Sequence, residues 1–204
     1  KAATGQLIDI SWIENSYGVN RILNLLNIKE NYYKFMINQI FFDLDNAIAY
    51  CDHDQFVNDI DYSFALEDGV YGLKINPCAW NLLNYSRNLV GEENVFMLTS
   101  SSNDYANQID QIAGFKFGYD KIFSREKIDN VIWNMNFCPD YKGEYVNSNN
   151  VLIDNLYPRE NKEKMRFAGI SLDNYLKVDD YYGHRIEDFE EKVIEFLKEK
   201  WQEN

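Results

Sequence analysis

The chain has 204 residues, 46% of them hydrophobic, which is enough for one sizeable domain with a full core. Its formal net charge of −13 works against broad binding to nucleic acid, because such binding needs Lys and Arg to neutralise phosphates. A membrane-spanning run of about 18 apolar residues and a signal-peptide pattern are both lacking. We therefore expect a soluble, cytoplasmic protein that has no membrane partner and acts on a small substrate.

Two further features of the composition bear on the protein's origin and redox state. Cys51, Cys78 and Cys138 are scattered without a CxxC pair or a nearby His partner, which argues against a zinc site and a disulfide framework and predicts reduced, buried thiols. The chain is rich in Asn, Ile, Lys, Tyr and Phe, whose codons are AT-rich. This is typical of a low-GC bacterial or viral genome, and a virus-encoded chain would act in the host cytoplasm.

Residues 1–38 precede the first strong strand pattern. Their apolar clusters are separated by NSYGVN, and the second cluster has helical spacing. We predict an N-terminal extension of one or two helices that packs on the core. The same apolar face could instead form an oligomer contact, such as a homodimer interface.

Residues 39–46, QIFFDLDN, combine a buried-strand pattern with two aspartates that follow it directly, Asp43 and Asp45. In open α/β sheets, ligands bind at the carboxyl ends of the strands. We interpret the two aspartates as the centre of an active site. Acidic pairs after strands also serve as turn formers and helix caps, so the pattern alone leaves that alternative open.

The next segment, residues 47–75, is dense in acids and aromatics and lacks a βαβ pattern. We predict a small insertion that lies over the active site, although most of its aromatics would pack its own small core. Pro77 then begins a predicted helix that ends at Gly91.

A second apolar run, Val95–Leu98, predicts a strand that leads into Thr99 and three serines. A helix is predicted from Asn103 to Ala113, and its positive N-terminal end would favour a phosphate beside these hydroxyls. The alternative is that the serines are ordinary helix caps.

The last third of the chain supplies a third strand that ends in an acid. Apolar residues at 131–137 predict a strand, Lys142 falls in a loop, and residues 151–153 predict a buried strand that ends at Asp154. A short helix stopped by Gly169 and an amphipathic helix over 185–201 complete the pattern.

In their order, these segments resemble the haloacid dehalogenase superfamily of phosphohydrolases over residues 39–172. FFDLDNA is similar to its first motif, VFMLTS to its second, the lysine of DYKGEY to its third and VLIDN to its fourth. The resemblance implies a three-layer, Rossmann-like α/β core over 39–204 with a mostly parallel sheet and a small cap insertion at about 47–75. Within the superfamily, the 5'(3')-deoxyribonucleotidase branch is the most similar.

The resemblance also implies roles for individual residues. Asp43 would be the nucleophile and Asp45 the general acid and base. Thr99 would hydrogen-bond the phosphoryl oxygens, with Ser100 a weaker candidate, and Lys142 would compensate charge. Lys121 and Lys127 also precede the fourth motif, and Lys142 could be an ordinary solvated loop lysine.

Mg²⁺ is the implied cofactor, held by Asp43, Asp154 and the backbone carbonyl of Asp45. The chain departs from the family pattern at three positions near this site, of which Ala47, in place of the usual Thr or Val, has little chemical effect. Asn46 stands where Gly is common, and we expect it to keep the turn and to contact substrate together with Ser100. Asn155 replaces a frequent second aspartate, which would weaken metal binding.

The leading hypothesis is a Mg²⁺-dependent phosphomonoesterase for nucleoside monophosphates. A second is a phosphatase for sugar phosphates or polynucleotide ends, and the acidic charge disfavours the polynucleotide version. A third is a catalytically silent binding protein of the same fold, for which the substitution at Asn155 is the main support.

Overall fold

A computed structural model describes residues 39–52, 60–136 and 150–202, and all structural statements below concern these residues. The predicted N-terminal extension and Lys142 lie outside them. The described part contains eight strands: β1 (Ile40–Phe42), β2 (Ala49–Asp52), β3 (Tyr62–Leu66), β4 (Gly69–Ile75), β5 (Val95–Leu98), β6 (Ile122–Phe123), β7 (Val151–Asp154) and β8 (Tyr175–Lys177). Its helices are α1 (Ala79–Val90), α2 (Asn103–Ala113), α3 (Arg125–Asn136), α4 (Lys162–Ala168) and α5 (Phe189–Gln202).

Five strands form a parallel central sheet in the order β6-β5-β1-β7-β8. Strand β1 lies in the middle, with Phe42 opposite Met97 of β5 on one side and Ile153 of β7 on the other. All three residues of β1 are buried, as expected for a strand covered on both faces. The three strands predicted to end in polar residues are therefore neighbours.

Alternate residues of the central strands face two separate apolar layers, because successive side chains of a strand point to opposite faces. The first layer packs the sheet against α1, α2 and α5; its members include Ile40, Phe42, Met97, Ile153, Leu83, Ile109 and Val193. The second packs it against α3 and α4; its members include Phe41, Leu98, Leu152, Ile128 and Met165. The predicted three-layer α/β fold with a parallel sheet is confirmed.

The segment between β1 and α1 forms an antiparallel three-stranded sheet in the order β2-β4-β3, which we call the cap sheet. It occupies the region where the small insertion was predicted. Phe64, Leu73 and Ile75 are buried and join the first apolar layer, so the cap sheet is packed on the core.

Helix boundaries agree with the predicted stop signals. Helix α2 spans Asn103–Ala113 as expected and ends at Gly114, whose φ of 67° is left-handed. Helix α4 ends in the same way at Gly169, with φ 66°. Glycine adopts this backbone conformation without the steric penalty that a Cβ atom imposes.

One secondary-structure prediction was wrong. A strand was expected at residues 131–137, but helix α3 occupies this region up to Asn136. The alternation of apolar residues suggested a strand, but Ile128, Val131 and Ile132 also have the three- and four-residue spacing of a helix. The N–H of Ile128 donates to the carbonyl of Ser124, which forms the first helical turn.

The cysteines and the hydrophobicity of the helices were also predicted from the sequence. Cys51 and Cys78 are half-buried free thiols, so they are more exposed than predicted, while Cys138 lies outside the described residues. Within the described ranges, no helix combines the length and apolar character needed to cross a bilayer.

Candidate active site

Two buried carboxylates lie where the neighbouring strands β1 and β7 end. Asp43 directly follows β1 and is 4% exposed, whereas Asp154 is the last residue of β7 and is completely buried. The N–H of Asp43 donates to the carbonyl of Ile153 over 2.9 Å, so the parallel pairing continues up to the aspartates. This pairing brings together two acids that are 111 residues apart in the sequence.

A buried lysine joins the two acids. Lys164, on α4, donates from Nζ to Asp43 Oδ1 over 2.6 Å and to Asp154 Oδ2 over 2.9 Å. Its side chain is only 4% exposed. Sequence reasoning missed this residue. The available signal was its place in the buried stripe of α4 beside Met165 and Ala168, where a charged residue needs a partner.

The cluster carries more negative than positive charge. The pKa of Asp43 is raised to about 8: burial raises it most, the charges of Asp154 and Asp45 add to the rise, and the attraction of Lys164 opposes it. Burial alone would lower the pKa of Lys164, but the two carboxylates more than reverse this and raise it. The lysine is therefore held as an ammonium ion, and burial together with the surplus negative charge makes Asp43 retain its proton more tightly.

Asp45 lies on the turn after β1, and hydroxyl groups hold both of its carboxylate oxygens. Ser101 Oγ donates to Oδ2 and Tyr105 Oη donates to Oδ1, each over 2.6 Å. Burial and the nearby Asp45 raise the pKa of the Tyr105 phenol, and burial raises the pKa of the Cys51 thiol to about 12. Both groups are therefore neutral at physiological pH, which keeps further negative charge away from Asp45.

The shape of this turn depends on Asn46, whose φ of 58° is left-handed. Its N–H donates to the carbonyl of Ala49 over 2.8 Å, and its own carbonyl accepts from the N–H of Tyr181 over 2.7 Å. The predicted tolerance of Asn for this backbone conformation is confirmed. A contact between Asn46 and substrate stays a prediction.

The end of β5 supplies hydroxyl groups at the same edge of the sheet. Thr99 is 1% exposed, its N–H donates to Phe123, and its Oγ1 accepts the N–H of Ser101 over 3.1 Å. Because that bond uses the oxygen as an acceptor, the hydroxyl hydrogen of Thr99 can donate to a ligand. Ser100 is exposed, and its carbonyl accepts from Arg125.

Asn155 supplies an oxygen that suits a hard cation. Its Nδ2 donates to Asp180 Oδ1 over 2.6 Å, whereas its buried Oδ1 has no hydrogen-bond partner among the described residues. An aspartate at this position would repel Asp180, which gives a physical reason for the amide. The described ranges contain no cluster of three or more His, Cys, Asp or Glu side chains that could hold a metal ion. The expected site does not require one, because only two of its ligands, Asp43 and Asp154, are carboxylates. The oxygen atoms present fit Mg²⁺, which keeps several waters when bound.

The predicted site residues thus lie at one edge of the central sheet where the structure describes them. Asp43, Asp45, Thr99 and Asp154 converge there, and Ser100 and Asn46 lie on the adjoining turns. The alternative lysines are engaged elsewhere, since Lys121 Nζ donates to Glu92 and Lys127 Nζ to Tyr119 and Ile122. Lys142 lies outside the described residues, and its role stays a prediction.

No family model matches the chain, and no curated protein does. Among solved structures, it is similar to the fission yeast RNA polymerase II CTD phosphatase Fcp1 bound to beryllium fluoride. The two sequences are 15% identical, the match covers 89% of this chain and 54% of that chain, and the TM-score is 0.45. A second structure of Fcp1, described as an essential RNA polymerase II CTD phosphatase, gives 16% identity, coverages of 88% and 53%, and a TM-score of 0.45. The chain spans about half the length of these proteins. Its function therefore has to be inferred from its own site.

Proposed function

We propose that the chain is a Mg²⁺-dependent phosphomonoesterase that forms an aspartyl-phosphate at Asp43. The observation that carries this proposal is the buried Asp43–Lys164–Asp154 cluster at the edge of the sheet, with Asp45 two residues from Asp43. A buried carboxylate paired with an ammonium ion is suited to attack a phosphate ester, because the positive charge offsets repulsion between the two anions.

In the first step, Asp43 reacts in its ionised form, which the charge of Lys164 favours against the burial that raises its pKa, and which a bound Mg²⁺ would favour further. One of its carboxylate oxygens forms a bond to phosphorus as the bond between phosphorus and the ester oxygen breaks. The bonding electrons move to the leaving oxygen, which takes a proton from the carboxyl group of Asp45. The products are the alcohol and the aspartyl-phosphate.

In the second step, water attacks the phosphorus atom and gives a proton to Asp45. The bond between phosphorus and the Asp43 oxygen breaks, which regenerates the carboxylate and releases inorganic phosphate. Asp45 thus returns to its protonated form, and no other reactant is needed.

The remaining residues stabilise charge and align the phosphate. Lys164 balances the charge that Asp43 and the phosphoryl group share, and Thr99 donates a hydrogen bond to a phosphoryl oxygen. Asp43, the carbonyl of Asp45 and an oxygen of Asp154 or Asn155 would hold Mg²⁺. When bound, the ion supplies Lewis-acid stabilisation of the phosphoryl oxygens.

A nucleoside monophosphate is the substrate that we propose. Support comes from an aromatic pair near the site: Tyr182 is 55% exposed and meets the ring of the half-buried Tyr50 edge-on, with centroids 5.8 Å apart. Tyr182 lies two residues after Asp180, which accepts the hydrogen bond from Asn155. Exposed aromatic rings of this kind stack on nucleobases.

The test is phosphate release in excess Mg²⁺ from a panel of nucleoside monophosphates, sugar phosphates and 5'-phosphorylated oligonucleotides. Asp43→Asn should abolish release, whereas the matched change at an exposed acid, Asp129→Asn, should leave it unchanged. Activity that survives Asp43→Asn would overturn the nucleophile assignment. A preference for sugar phosphates or oligonucleotides would overturn the nucleotide proposal alone, and no turnover of any ester would favour a binding protein.

A further inference from the structure

Tyr105 makes two kinds of contact that link the catalytic turn to the cap sheet. Its hydroxyl donates to Asp45 Oδ1, while Ser101 holds the other oxygen of the same carboxylate. A hydroxyl group can donate to a carboxylate oxygen and can also accept from a protonated carboxyl group, so both contacts can persist when Asp45 carries the proton that it transfers. Two such bonds, one on each oxygen, restrict rotation of the carboxylate.

Asp45 needs this restraint because of its surroundings. It is only half-buried, it lies on a turn, and it is close enough to Asp43 to raise the pKa of that residue. Repulsion from the buried acids and attraction to water both favour rotation of Asp45 away from the site. The hydroxyls of Ser101 and Tyr105 oppose that rotation.

The ring of Tyr105 packs on the cap sheet. Its centroid is 5.9 Å from that of Phe64 on β3 and 5.8 Å from that of Tyr71 on β4, and the last two rings are stacked 5.4 Å apart. Phe64 is 7% exposed, so the cluster is a packed contact. Pairs with this geometry are favourable beyond their buried area. The position of the Tyr105 hydroxyl therefore depends on the cap sheet.

We propose that Tyr105 is a positioning residue that fixes Asp45 for proton transfer to the leaving alcohol and makes this transfer depend on packing of the cap sheet. The inference rests on the proposed phosphomonoesterase activity. Tyr105 itself exchanges no proton with substrate. Its role is to keep one carboxylate in the orientation from which the departing oxygen is protonated.

The choice of substrate separates this role from a general structural one. An alkyl alcohol leaves poorly without a proton, whereas p-nitrophenolate leaves readily as an anion. The ratio kcat/KM reports steps up to the first irreversible one, here departure of the alcohol. Loss of positioning should therefore lower kcat/KM for an alkyl phosphate and spare p-nitrophenyl phosphate.

The experiment measures kcat/KM in Tyr105→Phe, which removes the hydroxyl and keeps the ring, with a nucleoside 5'-monophosphate as the alkyl phosphate and p-nitrophenyl phosphate as the second ester. We expect about a tenfold to hundredfold loss with the alkyl phosphate and less than about a threefold loss with p-nitrophenyl phosphate. Ser101→Ala should change the ratio in the same direction. The matched control is Tyr71→Phe, which removes from the same cluster a hydroxyl that donates to Asp68 and should leave both values unchanged.

Phe64→Leu tests the link to the cap sheet, because it removes a ring that packs on Tyr105 while keeping an apolar side chain. Phe64→Leu should also lower kcat/KM for the alkyl phosphate selectively, by a smaller factor than Tyr105→Phe does. Equal loss with both esters in Tyr105→Phe, or no loss, would overturn the positioning role while the wild-type activity stands. A selective effect of Tyr105→Phe with none from Phe64→Leu would overturn the cap link. A wild-type chain that hydrolyses neither ester would overturn the proposed function and this inference together.

Discussion

At the scale of single residues, Lys164 supplies the positive charge that compensates the buried carboxylates of Asp43 and Asp154. It is the cation that contacts both Asp43 and Asp154, and all three side chains are almost fully buried. Removing one partner from such a cluster leaves buried charges uncompensated, which costs about 3–5 kcal/mol. Lys164 therefore couples the stability of the fold to the ionisation of the proposed nucleophile.

Lys164→Met should lower activity and move its pH dependence. The attraction of Lys164 lowers the pKa of Asp43, so its removal raises that pKa and leaves less ionised nucleophile at neutral pH. We expect kcat/KM to fall by about 10²–10³-fold and its rising limb to move to higher pH. A pH profile at fixed Mg²⁺ measures both effects.

The matched control is Lys162→Met, at an exposed position of the same helix. It should leave the profile unchanged. If the pH profile of Lys164→Met rises at the same pH as that of the wild type, the assigned coupling between the lysine and Asp43 is contradicted.

At the scale of elements, Asp110 near the end of α2 fixes the connection to β6. This buried carboxylate accepts the N–H of Phe117 over 3.0 Å and that of Gly118 over 2.9 Å. Phe117 belongs to the first apolar layer, so the two bonds hold a core residue in place. The connection positions β6, whose Phe123 carbonyl accepts the N–H of Thr99.

Asp110→Ala should therefore destabilise the protein by about 1–3 kcal/mol, because two backbone donors lose their acceptor. Urea unfolding followed by fluorescence measures the change. Gln111→Ala, at the exposed neighbouring position, should change stability by less than about 0.5 kcal/mol. Equal effects of the two substitutions would contradict the assigned role of Asp110.

The elements also show how far sequence reasoning reaches. Strands β1, β5 and β7 were predictable because apolar runs end abruptly in polar residues, and this placed Asp43, Thr99 and Asp154 at one edge. Strand β6 has two residues, too few for a periodic pattern, and its pairing depends on the neighbouring β5. Lys164 was missed because its two partners come from distant strands, so the helical spacing that it shares with Ala168 did not by itself show that this lysine is buried.

At the scale of the whole molecule, a chain with an excess of acidic residues carries a site that concentrates negative charge. The net charge is −13, and the described site brings Asp43 and Asp154 onto one lysine, with Asp45 close enough to Asp43 to raise its pKa. A bound divalent cation would relieve part of this repulsion in the folded state alone, because the ligands are far apart in the unfolded chain. Metal binding should therefore appear as added stability.

Mg²⁺ should raise the melting temperature of the wild type, and chelation with EDTA should reverse the change. A ligand that binds the folded state at 100 times its Kd stabilises it by about 2.7 kcal/mol. For a chain of this length, each kcal/mol shifts Tm by about 2–4 °C. Asp43→Asn removes a charged oxygen ligand and should reduce the shift, whereas Asp129→Asn should retain it. Calorimetric scans measure the melting temperature, and scans with NaCl at matched ionic strength separate metal binding from charge screening. If Mg²⁺ raises the melting temperature of Asp43→Asn and Asp129→Asn equally, the ion binds away from Asp43.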